Sequence, residues 1–217
     1  MFGIPGLTGV SLTAPAALGG RPETHLVTGD PYVVDTLSVD GGAISLRRHV
    51  RAFFQGNRYL LTELVRHVVA LVPRDQRLLD LYAGVGLFAV AAAVSRGASV
   101  VAVEGDPYAA RDLATNADVA GGVEVSHQSV EKFLGRRRQA PDVVVLDPPR
   151  TGLSPEALSG LIALETPRMV YVSCDIATMG RDVRKLVEAG YRVEQVSAFD
   201  LFPNTPHVET VMALTRA

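Results

Sequence analysis

From Leu78 to Glu188 the chain repeats one pattern: a short strand-like run, a turn, then an amphipathic stretch. The repeat recurs at roughly 20–30 residues, the spacing of strand–helix–strand units with parallel strands. The strand runs are Leu78–Leu81, Ser99–Glu104, Val123–His127, Val143–Leu146 and Met169–Val172. Val143-Val144-Val145-Leu146 shows no polar alternation, as a strand covered on both faces should not. Helices are expected at Leu87–Ser95, Pro107–Ala120, Val130–Arg137, Ser154–Leu164 and Thr178–Glu188. Pro107 stands near the first turn of its helix, and Gly190 closes the last one. Tyr191–Ala198 and Val208–Thr215 follow with no helix between them and can pair as an antiparallel hairpin. The fold class is therefore α/β, an open and mostly parallel seven-stranded sheet ending in an antiparallel hairpin.

The segment before this repeat reads differently. Residues 1–30 are rich in Gly, Pro, Thr and Ala, and Met1 to about Gly20 reads as loosely structured. Pro31–Leu37 and Ala43–Arg48 alternate apolar and polar residues around Asp40-Gly41-Gly42, which predicts a small N-terminal β appendage. Residues 58–72 place Leu60, Leu61, Leu64, Val65, Val68 and Val69 on one helical face, and Pro73 ends that helix. At 217 residues and 47% hydrophobic, the chain can bury one sizeable core. No apolar run approaches the roughly 20 residues that span a bilayer. The start, Met1-Phe2-Gly3-Ile4-Pro5, lacks the basic residues of a secretory signal. A single cysteine rules out an internal disulfide or a multi-cysteine metal site and fits a reducing, cytoplasmic compartment. The net charge of −2 is a poor match to a stand-alone nucleic-acid binder, though it leaves room for a local basic patch.

Ligands of open α/β sheets bind at the carboxyl ends of the strands, so the strand ends carry the functional reading. Asp80-Leu81-Tyr82-Ala83-Gly84-Val85-Gly86 leaves the first strand of the repeat and opens a helix. Gly84 and Gly86 allow a tight turn and close approach of a ligand to the backbone. The next strand ends in Glu104, where a carboxylate can accept both hydroxyls of a ribose. The third glycine of a dinucleotide fingerprint is missing, and so is a P-loop Lys-Ser/Thr pair. A nucleoside cofactor such as S-adenosylmethionine fits better than NAD or ATP. Asp147 leaves an apolar strand into Pro148-Pro149-Arg150, a rigid loop able to hold its carboxylate against a substrate or cofactor. Cys174 ends the following strand, either as a small buried hydrophobe or as a reactive thiol. A helix N-terminus beyond it lowers a thiol pKa, and Asp175 opposes that unless it caps the helix. Glu209 begins the last strand, where a carboxylate can act as a general base; a solvated edge acid is the plainer alternative. Phe53-Phe54-Gln55-Gly56-Asn57 offers an amide beside two aromatic rings, with Asn57 able to cap the helix that follows.

Taken in order, six strings resemble the RNA 5-methyluridine methyltransferases, which methylate carbon 5 of uracil in transfer or ribosomal RNA. They are Phe53-Phe54-Gln55-Gly56-Asn57, Asp80 to Gly86, Val103-Glu104-Gly105, Leu146 to Leu153, Tyr171 to Asp175, and Phe202 to Glu209. The resemblance covers about residues 50–217, and the last three strings are the specific ones. It implies a Rossmann-like S-adenosylmethionine-dependent methyltransferase fold, with Cys174 as nucleophile and Glu209 as base. Gln55, Tyr82, Glu104 and Asp147 match cofactor-contacting positions, with Gly84 and Gly86 shaping that site. The implied partner is a tRNA or rRNA substrate; no membrane, metal or iron–sulfur cluster is expected. Residues 1–50 read as an N-terminal extension and hairpin, the remnant of a central domain, and 51–217 as the methyltransferase catalytic domain. The oligonucleotide-binding barrel typical of the family has no counterpart here, which reads as a piece excised from a longer protein, with a naturally short protein of weak or altered RNA binding as the alternative. Two other readings remain. One is an amino-group methyltransferase on a nucleobase or protein, whose chemistry needs no cysteine. The other is a non-catalytic RNA-binding domain that keeps the fold.

Overall fold

The structure is a computed structural model that describes residues 8–14, 23–137 and 139–216. Its centre is a seven-stranded sheet. Strands β5 (Arg77–Leu81), β6 (Ser99–Glu104), β7 (Val123–His127), β8 (Val143–Leu146) and β9 (Arg168–Ser173) run parallel. Strands β10 (Tyr191–Phe199) and β11 (Glu209–Arg216) form the terminal hairpin, and β11 inserts antiparallel between β9 and β10. The order across the sheet is β10-β11-β9-β8-β5-β6-β7. From β5 the chain winds outward through β6 and β7, then returns to β8 on the other side. That reversal makes the β5/β8 junction the place where a ligand crevice opens.

Helices cover both faces. Alternate strand residues divide between them, as the two-residue period of a strand requires. Leu78, Val100, Ala102, Val143, Val145, Val170 and Val172 pack with α1 (Arg58–Ala70), α2 (Leu87–Arg96) and α3 (Pro107–Ala120). Leu79, Leu81, Val103, Val144, Leu146, Met169 and Tyr171 pack with α4 (Val130–Arg136), α5 (Pro155–Ala163) and α6 (Ile176–Glu188). All of these strand residues are buried, so β8 and the centre of β9 read as continuous apolar runs, while β5 is interrupted by Asp80.

The N-terminal region contains two hairpins. Strands β3 (Tyr32–Val39) and β4 (Gly42–His49) pair as the sequence predicts, turning at Asp40-Gly41 with Gly41 at φ +94°. Leu37, Val39, Ile44 and Leu46 join the same core as α1 and α2. The outer edge of β4 is satisfied by side chains of α3. Asn116 accepts from Arg47 N–H at 2.9 Å and donates back to the Arg47 carbonyl at 2.9 Å, while Asp112 accepts from His49 N–H at 2.5 Å. The expectation of loose structure to Gly20 fails over β1 (Gly9–Ala14), which pairs antiparallel with β2 (Glu23–Gly29). Gly9-Val10-Ser11-Leu12-Thr13-Ala14 does alternate, but its glycine- and proline-rich flanks hide the period; residues 1–7 and 15–20 lie outside the described residues. Among the described residues no helix is long and apolar enough to cross a membrane.

Candidate active site at the carboxyl ends of the strands

A cleft of about 680 Å³ opens at the carboxyl ends of β5, β6, β8 and β9. Cys174, Glu209, Gln55, Tyr82, Gly84, Glu104 and Asp147 all line it. Of the sequence-predicted site residues only Gly86 does not. Gly86 caps α2 at φ +97°, and a Cβ there would meet Leu113 Cδ1 at 2.7 Å, so its part is to let the helix pack close. Gly84 is different: at φ +56° a Cβ would meet nothing within 4 Å, leaving open space over the loop. Tyr82 turns the chain out of β5 at φ +61°, an uncommon conformation for a side-chain-bearing residue. Burial raises its hydroxyl pKa.

Glu104 braces this loop. Its two oxygens accept from Gly84 N–H at 2.8 Å and Asp106 N–H at 2.6 Å. A carboxylate accepts about four hydrogen bonds, so each oxygen keeps a lone pair for a ligand. Asp106 in turn caps α3, accepting from Tyr108 and Ala109 N–H at 2.9 Å. Gln55 is buried, and its Oε1 has no partner, an acceptor held ready beside the cleft. Asn57 caps α1 and donates to the Leu201 carbonyl at 3.2 Å, tying the 200–208 loop to the start of that helix.

Around β8, β9 and β11 the polar groups are less well satisfied. The register places Thr210 opposite Ser173, so Glu209 and Cys174 leave adjacent strands side by side. Glu209 is fully buried with neither carboxylate oxygen partnered, and burial pushes it up to about 7. Asp147 is raised well above the usual carboxylate range by burial first, then by Glu209 and Asp80. Asp80 is also fully buried and is pushed up to about 8 by burial and by Glu104; the Ala89 N–H pulls the other way without a well-formed hydrogen bond. Sequence reasoning passed over Asp80, although an acid inside Leu78-Leu79-Asp80-Leu81 was a visible signal.

Cys174 is half-buried at the end of β9. Asp175 caps α6, accepting from Thr178 N–H at 2.8 Å, which occupies the carboxylate beside the thiol. The thiol pKa is nonetheless raised, chiefly by burial and then by Glu209 and Asp147. Opposing them is Arg150, whose guanidinium beside the thiol lowers its pKa. That contact was not read from the sequence, since Arg150 and Cys174 lie on different strand-end loops. The Arg150 loop is itself held down by α6. Buried Asp182 accepts from Leu153 N–H at 2.8 Å and Tyr171 O–H at 2.9 Å, and Thr178 Oγ1 donates to the Arg150 carbonyl at 3.0 Å. His207 lies outside the cleft lining, its ring 6.4 Å from that of Phe202. Among the described residues no group of three or more His, Cys, Asp or Glu could hold a metal ion.

A family model of the tRNA (Uracil-5-)-methyltransferases matches residues 136–217, the stretch that contains Asp147, Arg150, Cys174 and Glu209. Through this region the chain is similar to that family. The chain is 40% identical over 190 residues to a 23S rRNA (uracil(1939)-C(5))-methyltransferase of Chromohalobacter salexigens, covering 83% of this chain and 38% of that protein. It is 36% identical over 170 residues to a tRNA (uracil(54)-C(5))-methyltransferase of Pyrococcus abyssi, covering 76% of this chain and 39% of that one. The solved structure of the Pyrococcus abyssi tRNA (uracil-54, C5)-methyltransferase with S-adenosyl-L-homocysteine superimposes with a TM-score of 0.76 at 30% identity, over 94% of this chain and 50% of that chain. The fold of this segment is the Rossmann-like fold of the S-adenosylmethionine-dependent methyltransferases. The chain spans half the length of these relatives or less.

Proposed function

We propose that this chain methylates carbon 5 of a uracil in tRNA or rRNA, using S-adenosylmethionine and a covalent bond between Cys174 and carbon 6. The observation that carries the reading is the pairing of Cys174 with a buried, unpartnered Glu209 at neighbouring strand ends in one cleft. The names of the related proteins support the same substrate class. We read residues 51–217 as the methyltransferase unit and 1–50 as an appendage remaining from a central domain, working in the cytoplasm.

The residues present fit the cofactor. The cleft volume lies within the range of small-molecule sites. Glu104 has lone pairs to spare for ribose hydroxyls, Gly84 leaves room over the loop, and the orphaned Gln55 acceptor awaits a donor. Bound there, S-adenosylmethionine supplies an electrophilic methyl group on a sulfonium. Carbon 5 of uracil is too weak a nucleophile to take it unaided. Addition of the Cys174 thiolate to carbon 6 leaves an enolate, which makes carbon 5 nucleophilic. Arg150 favours the thiolate needed for that attack. Asp147, whose pKa its buried surroundings raise well above the carboxylate range, can when protonated donate a hydrogen bond to a carbonyl of the base. After methylation Glu209 takes the proton from carbon 5. The electron pair of that C–H bond forms the 5,6 double bond, the Cys174–carbon 6 bond breaks, and the thiolate leaves. The target base has to be unpaired or flipped out to enter such a site.

RNA carrying 5-fluorouridine tests the reading, because fluorine cannot leave as the proton does. Incubation with S-adenosylmethionine should yield a protein–RNA adduct by mass spectrometry in the parent and none in Cys174→Ala. An adduct that persists in Cys174→Ala would remove the cysteine mechanism.

A further inference from the structure

The chain carries a net charge of −2, yet one corner of it gathers cations. Arg47, Arg51 and Arg111 all act electrostatically on His49, so the end of β4, the segment after it and the first half of α3 converge on one spot. Two tyrosines are interleaved with them. The Arg47 guanidinium lies 3.4 Å from the centre of the Tyr32 ring, and that of Arg51 lies 5.1 Å from the centre of the Tyr108 ring. The His49 ring sits between both tyrosines, stacked on Tyr108 at 5.1 Å and edge-on to Tyr32 at 5.2 Å. Arg51 also donates a hydrogen bond to the Tyr108 hydroxyl. The acid that acts on His49 is Asp112, which is buried and holds the His49 backbone N–H.

Like charges gathered this way repel one another, and packing the core does not require them, since Arg51 and Arg111 are exposed. On the face of the Tyr32 ring, the Arg47 guanidinium is placed to turn its N–H edge onto phosphate oxygens. Cations interleaved with aromatic rings are the pattern that tracks a single nucleic-acid strand. The cluster is continuous with the cleft, because Arg51 and Phe53 both line it, and the Phe53 ring is 76% exposed. The base of the cluster is rigid: Asn116 and Asp112 clamp the β4 backbone at Arg47 and His49. That anchorage is through the backbone, so side-chain changes at Arg47 leave it in place.

We propose that Arg47, Arg51 and Arg111, with Tyr32 and Tyr108 between them, form the surface that grips the phosphates of the single RNA strand leading into the cleft. The proposal rests on the functional reading above and adds the path by which RNA reaches the site. The experiment measures binding of a uridine-containing stem–loop RNA to the full chain across a salt series, beside methyl transfer to the same RNA. Each phosphate contact on a single strand contributes about 0.7 to the slope of log affinity against log salt, so Arg47→Gln with Arg111→Gln should flatten it by about 1.4. The KM for RNA should rise about tenfold or more at low salt, with S-adenosylhomocysteine affinity and thermal midpoint held. The control pair Arg184→Gln with Arg192→Gln removes the same charge from α6 and β10 and should leave the slope near the parent value.

An unchanged slope in the Arg47/Arg111 pair overturns the surface, as does an equal loss in the control pair. So does a parent that binds polyglutamate more tightly than RNA at equal salt, which would mark a site for acidic protein. A parent that binds RNA through these arginines but transfers no methyl group overturns the functional reading and keeps the surface. A parent with no salt-dependent RNA affinity overturns the surface directly.

Discussion

Glu104 and Glu209 line the same cleft from strands that stand four places apart in the sheet, and their surroundings are opposite in kind. Glu104 is half-buried and has a backbone N–H on each oxygen. Glu209 is fully buried, has no partner on either oxygen and is pushed up to about 7. The first arrangement holds a carboxylate in one place, as a binding wall requires. The second leaves a carboxylate near the balance point between its two states, as a proton acceptor requires. Asp147 and Asp80 extend the second region, and Arg150 is the cation set against it at Cys174. One side of the cleft is satisfied; the other concentrates unpartnered ionisable groups, which are costly to stability and useful to chemistry.

The strongest break of this comparison is Glu209→Gln. Turnover should fall by about 10²–10⁴-fold, the usual worth of a general base, with an RNA adduct accumulating on ordinary uridine. Time courses by mass spectrometry follow both; rapid turnover without adduct would assign the base role elsewhere. Glu104→Gln should act on binding instead. The new amide nitrogen faces a backbone N–H, donor against donor, and a hydrogen bond to a charged group is worth about 1.5–3 kcal/mol. Calorimetry should show S-adenosylhomocysteine affinity falling by about 10–100-fold, with the turnover rate at saturating cofactor much less affected. A loss confined to turnover at unchanged affinity would erase the distinction between the two walls.

The last expected effect is on stability. Asp80 titrates near 3.8 when unfolded and at about 8 in the folded chain, and Glu209 moves from 4.5 to about 7. Between those values the folded chain holds protons that the unfolded chain has released. Stability is therefore greatest below pH 4 to 5 as far as these groups are concerned, and falls as pH rises, by at most about 1.4 kcal/mol per pH unit per group. Urea titrations at pH 5 and pH 8 should show that decline, and Asp80→Asn should flatten it. A parent whose stability rises over this window would mean that both acids find partners on folding.

The parallel strands were legible because a strand covered on both faces is apolar throughout, and Val143–Leu146 is the plainest case. Glu104, Asp147, Cys174 and Glu209 were legible as strand-end residues because the sheet's topology sends all such ends to one crevice. Strand β1 was not, since its pairing partner β2 supplies the order that its composition conceals. Gly84 and Gly86 looked alike in one loop. Only the neighbours separate them, with open space beside one and Leu113 against the other.

The sequence by itself determined the α/β sheet, the order of its elements and the set of reactive side chains, because strand period, helix period and motif spacing are local properties. Tertiary structure alone decided which charges face each other. It set Arg150 against the Cys174 thiol, Glu209 beside it, and Arg47 and Arg111 around His49. Electrostatics depends on distance and burial, and neither is written along the chain: residues far apart in number meet only when the strands take their places in the sheet.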